Sequence, residues 1–348
     1  MLYLRRRKLT TVEDLRSWLL GAVRLELSTI PPYLTALYSI MTGANRDIAG
    51  IIRHVALQEM LHMCLACNIL NAVGGRPTLN APEFRPTYPG PLPMGIGHEP
   101  GDPFIVPLKR LSLELVQHVF MVIEEPEHPL KFPLKRTAFA AGGPPDYHTI
   151  GQFYDALAAV IAELGPAIFT GDPGRQVKGW FPSDELFPVV DVASAERAIG
   201  VIVSQGEGTR TSPRDAEGGL AHYYLFSGIV NGRRLVQDPS LLGCYSYSGA
   251  PIVFDPTGVF PMVDNPTQVV LPPNSLVARL ANQFDQTYTA LLNALQATVD
   301  GQPDQLDVAI GLMYALRLEA QQLMSTPIPG RTGNAGPRWQ FVAGYASG

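Results

Sequence analysis

The sequence predicts an all-α core: a four-helix bundle with long Pro/Gly-rich loops and extra C-terminal helices. Several long segments repeat apolar residues at alternating steps of three and four, which is the spacing of one buried helix face. The 33 glycines and 32 prolines gather between those segments, where they mark connecting loops. No apolar run reaches the length of a membrane span, so we expect no membrane partner.

Composition narrows the classes of function. Apolar residues make up 46% and charged residues 16% of the 348 residues, as in a globular protein. The net charge of -5 gives no electrostatic footprint for nucleic acid. Cys64 and Cys67 lie within a predicted helix, so we expect them to pack there rather than to form a redox or zinc motif. The sequence shows no apolar signal-peptide core, and a cytoplasmic location is expected.

The clearest helix runs from Asp47 to Val73. Its predicted buried face carries Ile48, Ile52, Val55, Glu59, His62, Ala66, Ile69 and Val73. Glu59 and His62 interrupt the apolar pattern one turn apart, and burying such groups is costly unless they are paired or bind a metal. Glu-x-x-His on an inward helix face is the ligand pattern of carboxylate-bridged di-iron bundles. A paired acid and imidazole without metal is the alternative interpretation.

A preceding helix is predicted from Thr11 to Ile40. Pro31-Pro32 should bend it and free backbone carbonyls just after Glu26, because proline has no amide hydrogen. Glu26 interrupts the apolar seam of this helix. It is either a metal ligand or a core acid paired with Arg24 or Arg53.

The turn at Gly43 relates these two helices. Glu26 precedes Gly43 by 17 residues, and Glu59 and His62 follow it by 16 and 19. Antiparallel helices rise equally per residue, so the three side chains should share one level of the bundle.

The later part of the chain divides into further helices and loops. Helical segments are predicted at 111–125, 149–164, 193–208, 218–230, 275–299 and 303–324. The segment 77–107 is too long for a turn and should be a crossover or a lid. We expect residues 1–232 to form the bundle with inserted loops. Residues 233–348 should form a loop-rich and helical extension packed on the same domain, with Trp339 and Phe341 anchoring its tail.

The third segment offers Glu124 as a ligand. Its predicted stripe consists of Leu113, Gln117, Phe120 and Glu124. Glu125 and Glu127 compete with Glu124 for this role, and Glu163 on the next segment is a further candidate. His118 lies near the predicted inner edge and is expected, with His54, His98, His128 and His148, at the surface or behind the ligands.

Glu207 and His222 provide the last pair. Glu207 aligns with Gly200 and Val203, and His222 with Phe226 and Ile229. A regular site places Glu and His three residues apart, whereas here TRTSPRD stands between them. The fourth bundle helix must therefore be interrupted.

The complete predicted ligand set is Glu26, Glu59, His62, Glu124, Glu207 and His222. Carboxylates can bridge two metals, and each histidine contributes one nitrogen, which leaves coordination positions for dioxygen or peroxide. We expect iron in a dinuclear site, although another divalent metal is compatible. Tyr33 and Tyr223 are candidate catalytic residues that could carry protons or electrons, on the evidence of their location alone.

Several segments resemble a known family. They are LELSTIPPYLTALYSI, EMLHMCLACNILNAVGGRP, PTYPGPLP, IEEPE, TIGQFYDAL, VSQGEG and AHYYLFSGI, in that order between Leu15 and Ile229. They are similar to the ferritin-like domain of the iminophenyl-pyruvate dimer synthase family, whose best-known members act in violacein and rebeccamycin biosynthesis. The resemblance implies a ferritin-like bundle with a metal site at the six residues above.

The resemblance also implies a reaction. Known members oxidatively couple two imines derived from aromatic 2-oxo acids, so we expect an oxidoreductase acting on a small organic molecule in secondary metabolism. An iron-binding or storage protein would share the ligands, and a metal-free binding module is a third interpretation. A homo-oligomer is compatible with the sequence.

Overall fold

The computed structural model describes residues 10–81, 84–96, 103–127, 129–130, 149–209, 212–241 and 244–343. Three of the histidines considered above, His98, His128 and His148, lie outside these residues. Within the described ranges, no helix combines the length and the apolar character needed to cross a bilayer.

The described residues form the predicted helical core. The helices are α1 (Val12–Tyr38), α2 (Arg46–Ala72), α3 (residues 113–123), α4 (Ile150–Leu164), α5 (Val192–Glu207), α6 (His222–Val230), α7 (Leu276–Val299) and α8 (Gln305–Met324). Helices α1 and α2 form a hairpin, α5 packs on α2 and α4, and α6 packs on α2 and α3. The fourth bundle helix is thus divided into α5 and α6, as the spacing of Glu207 and His222 predicts.

Helix α1 shows how its sequence defines its ends and its course. The Thr11 side chain caps the helix by accepting a hydrogen bond from the Asp14 amide. The helix continues through Pro31 and Pro32. Because Pro32 has no amide hydrogen, the carbonyl of Ser28 is free, and it accepts a hydrogen bond of 2.6 Å from the Tyr88 hydroxyl. The predicted release of carbonyls after Glu26 is confirmed, and it ties α1 to the segment that follows α2.

Helix α3 differs from the prediction. It consists of Leu113–Leu115 and Met121–Ile123 on either side of a π-helical turn, Val116–Phe120. A π turn has a wider repeat than an α-helix and shifts the phase of all later side chains. The predicted stripe is therefore wrong in its first half: Leu113 and Gln117 are exposed, whereas Phe120 and Glu124 are buried.

The segment between α2 and α3 crosses the bundle beside α1. It contains a two-stranded antiparallel sheet of β1 (Gly90–Pro91) and β2 (Ile105–Val106), in which Gly90 pairs with Val106. Between the strands, Met94 lies against Gly21 of α1, where a Cβ atom would come within 2.4 Å of the Met94 sulfur. The absence of a side chain at Gly21 allows this close crossing.

The remaining elements are short. They are β3 (Val236–Gln237) paired antiparallel with β4 (Tyr245–Ser246), and the 3₁₀ turns Pro93–Gly95, Pro166–Ile168, Pro173–Arg175, Pro256–Gly258 and Pro266–Gln268. One hydrophobic cluster includes residues from α1 and α2 and from α7 and α8.

The tail after α8 is anchored through Trp339. Its indole is buried, packs edge-on against Phe284 and Tyr288 of α7, and donates a hydrogen bond of 2.8 Å to Thr35. A partly buried ion pair between Arg338 and Asp285, at 2.5 Å, adds a polar link to α7. Trp339 is thus the docking anchor that the sequence predicts.

Candidate metal centre

Five of the six predicted ligands come together in the bundle. Glu26 and Glu59 flank His62, whose Nδ1 atom lies 3.7 Å from Glu26 Oε2 and 3.5 Å from Glu59 Oε1. All three side chains are almost completely buried. They share one level of the α1–α2 hairpin, as the count from Gly43 predicts.

A second group adjoins the first. Glu124 of α3 and His222 of α6 meet Glu59: the Nδ1 atom of His222 lies 3.2 Å from Glu59 Oε1 and 3.3 Å from Glu124 Oε2. Each group thus contains two carboxylates and one imidazole whose donor atoms lie within 4.8 Å of one another. Glu59 belongs to both groups, which is the position of a carboxylate that bridges two cations.

The outer nitrogens of both histidines contact glutamine side chains. His62 Nε2 lies 2.9 Å from Gln205 Oε1, and His222 Nε2 lies 2.9 Å from Gln58 Oε1. An amide oxygen only accepts hydrogen bonds, so the Nε2 atom of each ring is the donor in these contacts, and the Nδ1 atom faces the carboxylates. Outer partners of this kind fix the tautomer and the orientation of metal-binding histidines.

Three hydroxyl groups orient the carboxylates. Thr29 donates to Glu59 Oε2 and Tyr154 to Glu26 Oε1, both at 2.5 Å, and Tyr33 donates to Glu124 Oε1. In each case one carboxylate oxygen is engaged by a hydroxyl group. The other oxygens of Glu26, Glu59 and Glu124 face the imidazoles.

The cluster has an excess of buried acid. Burial and the neighbouring charge of Glu59 raise the pKa of both Glu26 and Glu124. Burial also opposes ionisation of Glu59, but hydrogen bonds from His222 and His62 hold its pKa far below the usual range. For His222, burial lowers the pKa, yet Glu124 and Glu59 together raise it to about 10. Three buried acids thus surround two imidazoles, of which His222 has a raised pKa.

Glu207 lies beside this cluster and is not part of either group. It lines the same small cavity as Glu26, Glu59 and Glu124. Its carboxylate accepts a 2.6 Å hydrogen bond from the Gly151 amide, in the first turn of α4, where a helix N-terminus favours an anion. Burial nevertheless raises the pKa of Glu207 to about 7.

The competing acids and bases are located elsewhere. Glu125, Glu127 and Glu163 are exposed, so Glu124 is the acid that α3 contributes to the cluster. Glu26 is hydrogen-bonded to Tyr154 and approached by His62, whereas Arg53 is exposed. The alternative interpretation, in which Glu26 is a core acid paired with Arg24 or Arg53, is therefore not supported. His54 and His118 are also exposed.

The two candidate tyrosines differ in position. Tyr33 is fully buried and hydrogen-bonded to Glu124. Tyr223 is partly buried and packs edge-on against Tyr224 in a separate hydrophobic cluster. Burial and Glu125 raise the pKa of Tyr223 to about 12. Its surroundings thus differ from those of the buried carboxylates.

Sequence reasoning missed Gln58, Gln205, Thr29 and Tyr154. A usable signal existed for Gln205. The buried face of α5 consists of Ala195, Ala198, Ile199, Ile202 and Gln205, so its one polar member interrupts an apolar seam as Glu59 does. The stripe predicted for this helix, Gly200, Val203 and Glu207, is displaced from the observed buried face. Gly200 is exposed, and Val203 and Glu207 lie at the edge of the buried face.

The donor set fits a pair of divalent cations. The cavity between the carboxylates has a volume of about 10 Å³, close to the minimum that holds one water molecule. Its wall continues along Ile150 and Gly151 of α4 and Val203 and Gly206 of α5, so the cavity extends from the carboxylates toward these two helices. Carboxylate oxygen and neutral imidazole nitrogen suit iron, manganese and zinc.

A helical bundle with two overlapping Glu/His groups has the features of a ferritin-like carboxylate protein. The sequence profile described as Ferritin-like matches residues 19–231, which is more than half of the chain. The chain belongs to this family, and the predicted fold class is confirmed.

Two known proteins are similar to this chain over most of its length. The crystal structure of a ferritin-like protein from Caulobacter vibrioides is similar with a TM-score of 0.63 and 26% identity, over 94% of this chain and 98% of that one. Dichlorochromopyrrolate synthase of Lentzea aerocolonigenes is 25% identical over an alignment of 404 residues. That alignment covers 96% of this chain and 36% of the relative, so the chain spans little more than a third of the relative's length.

Proposed function

We propose that the protein is a metal-dependent oxidoreductase with a dinuclear iron site, acting on a small organic molecule. The observation that carries this proposal is the sharing of Glu59 between two groups, each with its own histidine and a further carboxylate. The ligands would be Glu26, Glu59 and His62 for one ion and Glu59, Glu124 and His222 for the other. Glu207, which lines the same cavity, would be the sixth ligand.

Electrostatics supports a metal over a self-contained acid–imidazole network. Burying an isolated charge costs several kcal/mol of desolvation free energy. Opposite charges offset this cost only when they are equal in number and well placed. Here Glu26 and Glu124 are both destabilised as anions by Glu59. Two divalent cations would remove that repulsion.

The protein's own groups would prepare the site. Gln58 and Gln205 hold the Nδ1 atoms of the histidines toward the centre, and Tyr33, Tyr154 and Thr29 fix the carboxylates. The buried setting of the carboxylates would limit access of water, and reactants would approach along the side of the cavity that α4 and α5 line. When bound, iron would mediate the transfer of electrons from the organic substrate, which is oxidised, to dioxygen or peroxide, which is reduced. Tyr33 is in position to exchange a proton with Glu124.

For the substrate, we propose an imine of an aromatic 2-oxo acid, which would be coupled oxidatively in secondary metabolism. The support is the family resemblance and the likeness to a relative named as a dichlorochromopyrrolate synthase. A direct assay would incubate the iron-loaded protein with such imines under air and measure dimeric products by mass spectrometry.

Metal content tests the site. Purified protein should contain about two iron ions per chain by elemental mass spectrometry, and Glu59→Ala or His62→Ala should lose this loading. Glu125→Ala, which changes an exposed acid beside Glu124, is the matched control and should retain it. Full metal content in both Glu59→Ala and His62→Ala would refute the proposal.

The same measurement separates the alternatives. An iron-storage homologue would take up many more ions per chain than two, and a metal-free binding module would take up none under any loading condition.

A further inference from the structure

A second cavity lies between the bundle and the C-terminal helices. It has a volume of about 60 Å³, several times what one water molecule requires. Its walls come from α1 and α2 on one side and from α7 and α8 on the other, with Leu27, Met63, Leu292, Ala309 and Met313 among them. Among the described residues that line this apolar cavity, none has a charged side chain.

The apolar cavity is separate from the candidate metal centre. Helix α1 directs Glu26 and Tyr33 to the metal centre, whereas Leu27 and Ile30 line the cavity. On α2, Glu59 faces the centre and Met63 faces the cavity. The α1–α2 layer therefore stands between the two sites, and the apolar cavity is not the approach to the carboxylates.

Two tryptophans with unusual backbones form part of its wall. Trp180 has φ of 69° and Trp339 has φ of 53°, in the left-handed region that bulky residues rarely adopt. Such conformations persist where surrounding contacts enforce them, and they concentrate at ligand sites. Trp339 is held by its hydrogen bond to Thr35. Trp180 is 47% exposed, so it lies where the cavity meets solvent.

We propose that the apolar cavity binds a small, uncharged apolar molecule, aromatic or aliphatic. Protein interiors are close-packed, and empty spaces of this size are few. The lining gives an ion no partner, so a charged ligand would lose its hydration without compensation. An apolar molecule gives up no hydrogen bonds when it leaves water, and its transfer to an apolar site is favourable. It also gains dispersion contacts with the aromatic and methionine side chains of the wall. Trp180 marks the entrance.

Toluene is a suitable probe, and its binding can be followed by saturation-transfer NMR during a titration. The wild-type protein should show saturable binding, and Ala309→Phe, which fills the cavity from α8, should lose it. Leu318→Phe adds an aromatic ring at an exposed position of the same helix and should bind toluene as the wild type does. Benzoate, which has similar size and a negative charge, should bind far more weakly than toluene.

Further outcomes make the test decisive. Toluene binding should be the same before and after treatment of the protein with a metal chelator, so a failure of the metal proposal would leave this result unchanged. No saturable binding by the wild type, equal binding by Ala309→Phe, or equal binding of benzoate would overturn the proposal. If circular dichroism shows that Ala309→Phe is unfolded, crystals of the unsubstituted protein under xenon pressure decide the matter. An anomalous peak between α1–α2 and α7–α8 supports the site, and its absence there refutes it.

Discussion

Replacing Gln205 by methionine tests whether the outer partner of His62 prepares the metal centre. Methionine has nearly the same volume and removes only the amide that accepts the 2.9 Å hydrogen bond from Nε2. Gln205 is 3% exposed, so water does not readily replace the lost acceptor. Leaving a buried donor unsatisfied costs about 1–3 kcal/mol. We expect the metal-free protein to lose stability of this order.

The effect on metal affinity should be equally clear. Loss of an outer partner typically weakens metal binding by about 10- to 100-fold, or roughly 1.4–2.7 kcal/mol. Competition with a chelator of known affinity measures this change for Fe²⁺ or Co²⁺. Urea unfolding of the metal-free protein, followed by circular dichroism, measures the stability term separately.

Two further variants complete the experiment. Gln58→Met removes the corresponding hydrogen-bond partner of His222. It should weaken metal binding by the group that contains Glu124 and His222 to a similar extent. Gln117→Met changes an exposed glutamine of α3 and should alter neither affinity nor stability. If Gln205→Met binds metal and unfolds as the wild type does, the hydrogen bond to His62 has no preparatory role and the reasoning is wrong.

Three other predictions concern the surroundings of the cluster and the C-terminal tail. Tyr154→Phe leaves an oxygen of buried Glu26 without its donor and should cost about 1–3 kcal/mol in urea unfolding. Gly151→Ala puts a Cβ atom 2.4 Å from Glu207 Oε2 and should displace that carboxylate, with the shift visible in a crystal structure. Burial raises the pKa of Asp285 from 3.8 to about 6, so its ionisation opposes folding. Stability relative to Asp285→Asn should therefore be highest below pH 4 and fall by up to ~3 kcal/mol as pH rises through 6, measured by urea midpoints; a constant difference would contradict this.

The α1–α2 half of the candidate site was predictable because it depends on helix periodicity alone. Glu59 and His62 interrupt an apolar seam, and Glu26 lies at the same distance from the connecting turn. Once two helices are antiparallel and joined by a short turn, equal rise per residue determines which side chains meet. The distances of 3.7 and 3.5 Å from His62 Nδ1 to Glu26 and Glu59 agree with that count.

Helix α3 was less predictable because its repeat changes within a few residues. The π turn at Val116–Phe120 shifts the buried face, so a constant 3.6-residue repeat cannot fit both Leu113 and Glu124. Glu124 is nevertheless buried beside Glu59 and His222, because it follows the irregular turn, at the end of the helix. The hydroxyls of Tyr33 and Tyr154 were not assignable to particular acids, since the pairing depends on tertiary contacts between helices.

The divided fourth helix determines how the second histidine reaches the cluster. Helix α5 ends at Glu207 and is followed by the C-cap residue Gly208, whose φ of 77° suits glycine; α6 begins at His222 itself. Between them, bridges from Thr209 to Ser212 and from Arg214 to Leu220 fold the connection back on itself. His222 is thus positioned by loop hydrogen bonds, in contrast to His62, which lies mid-helix one turn after Glu59. Changes in this connection should therefore move the His222 group and leave the Glu26–His62 group in place.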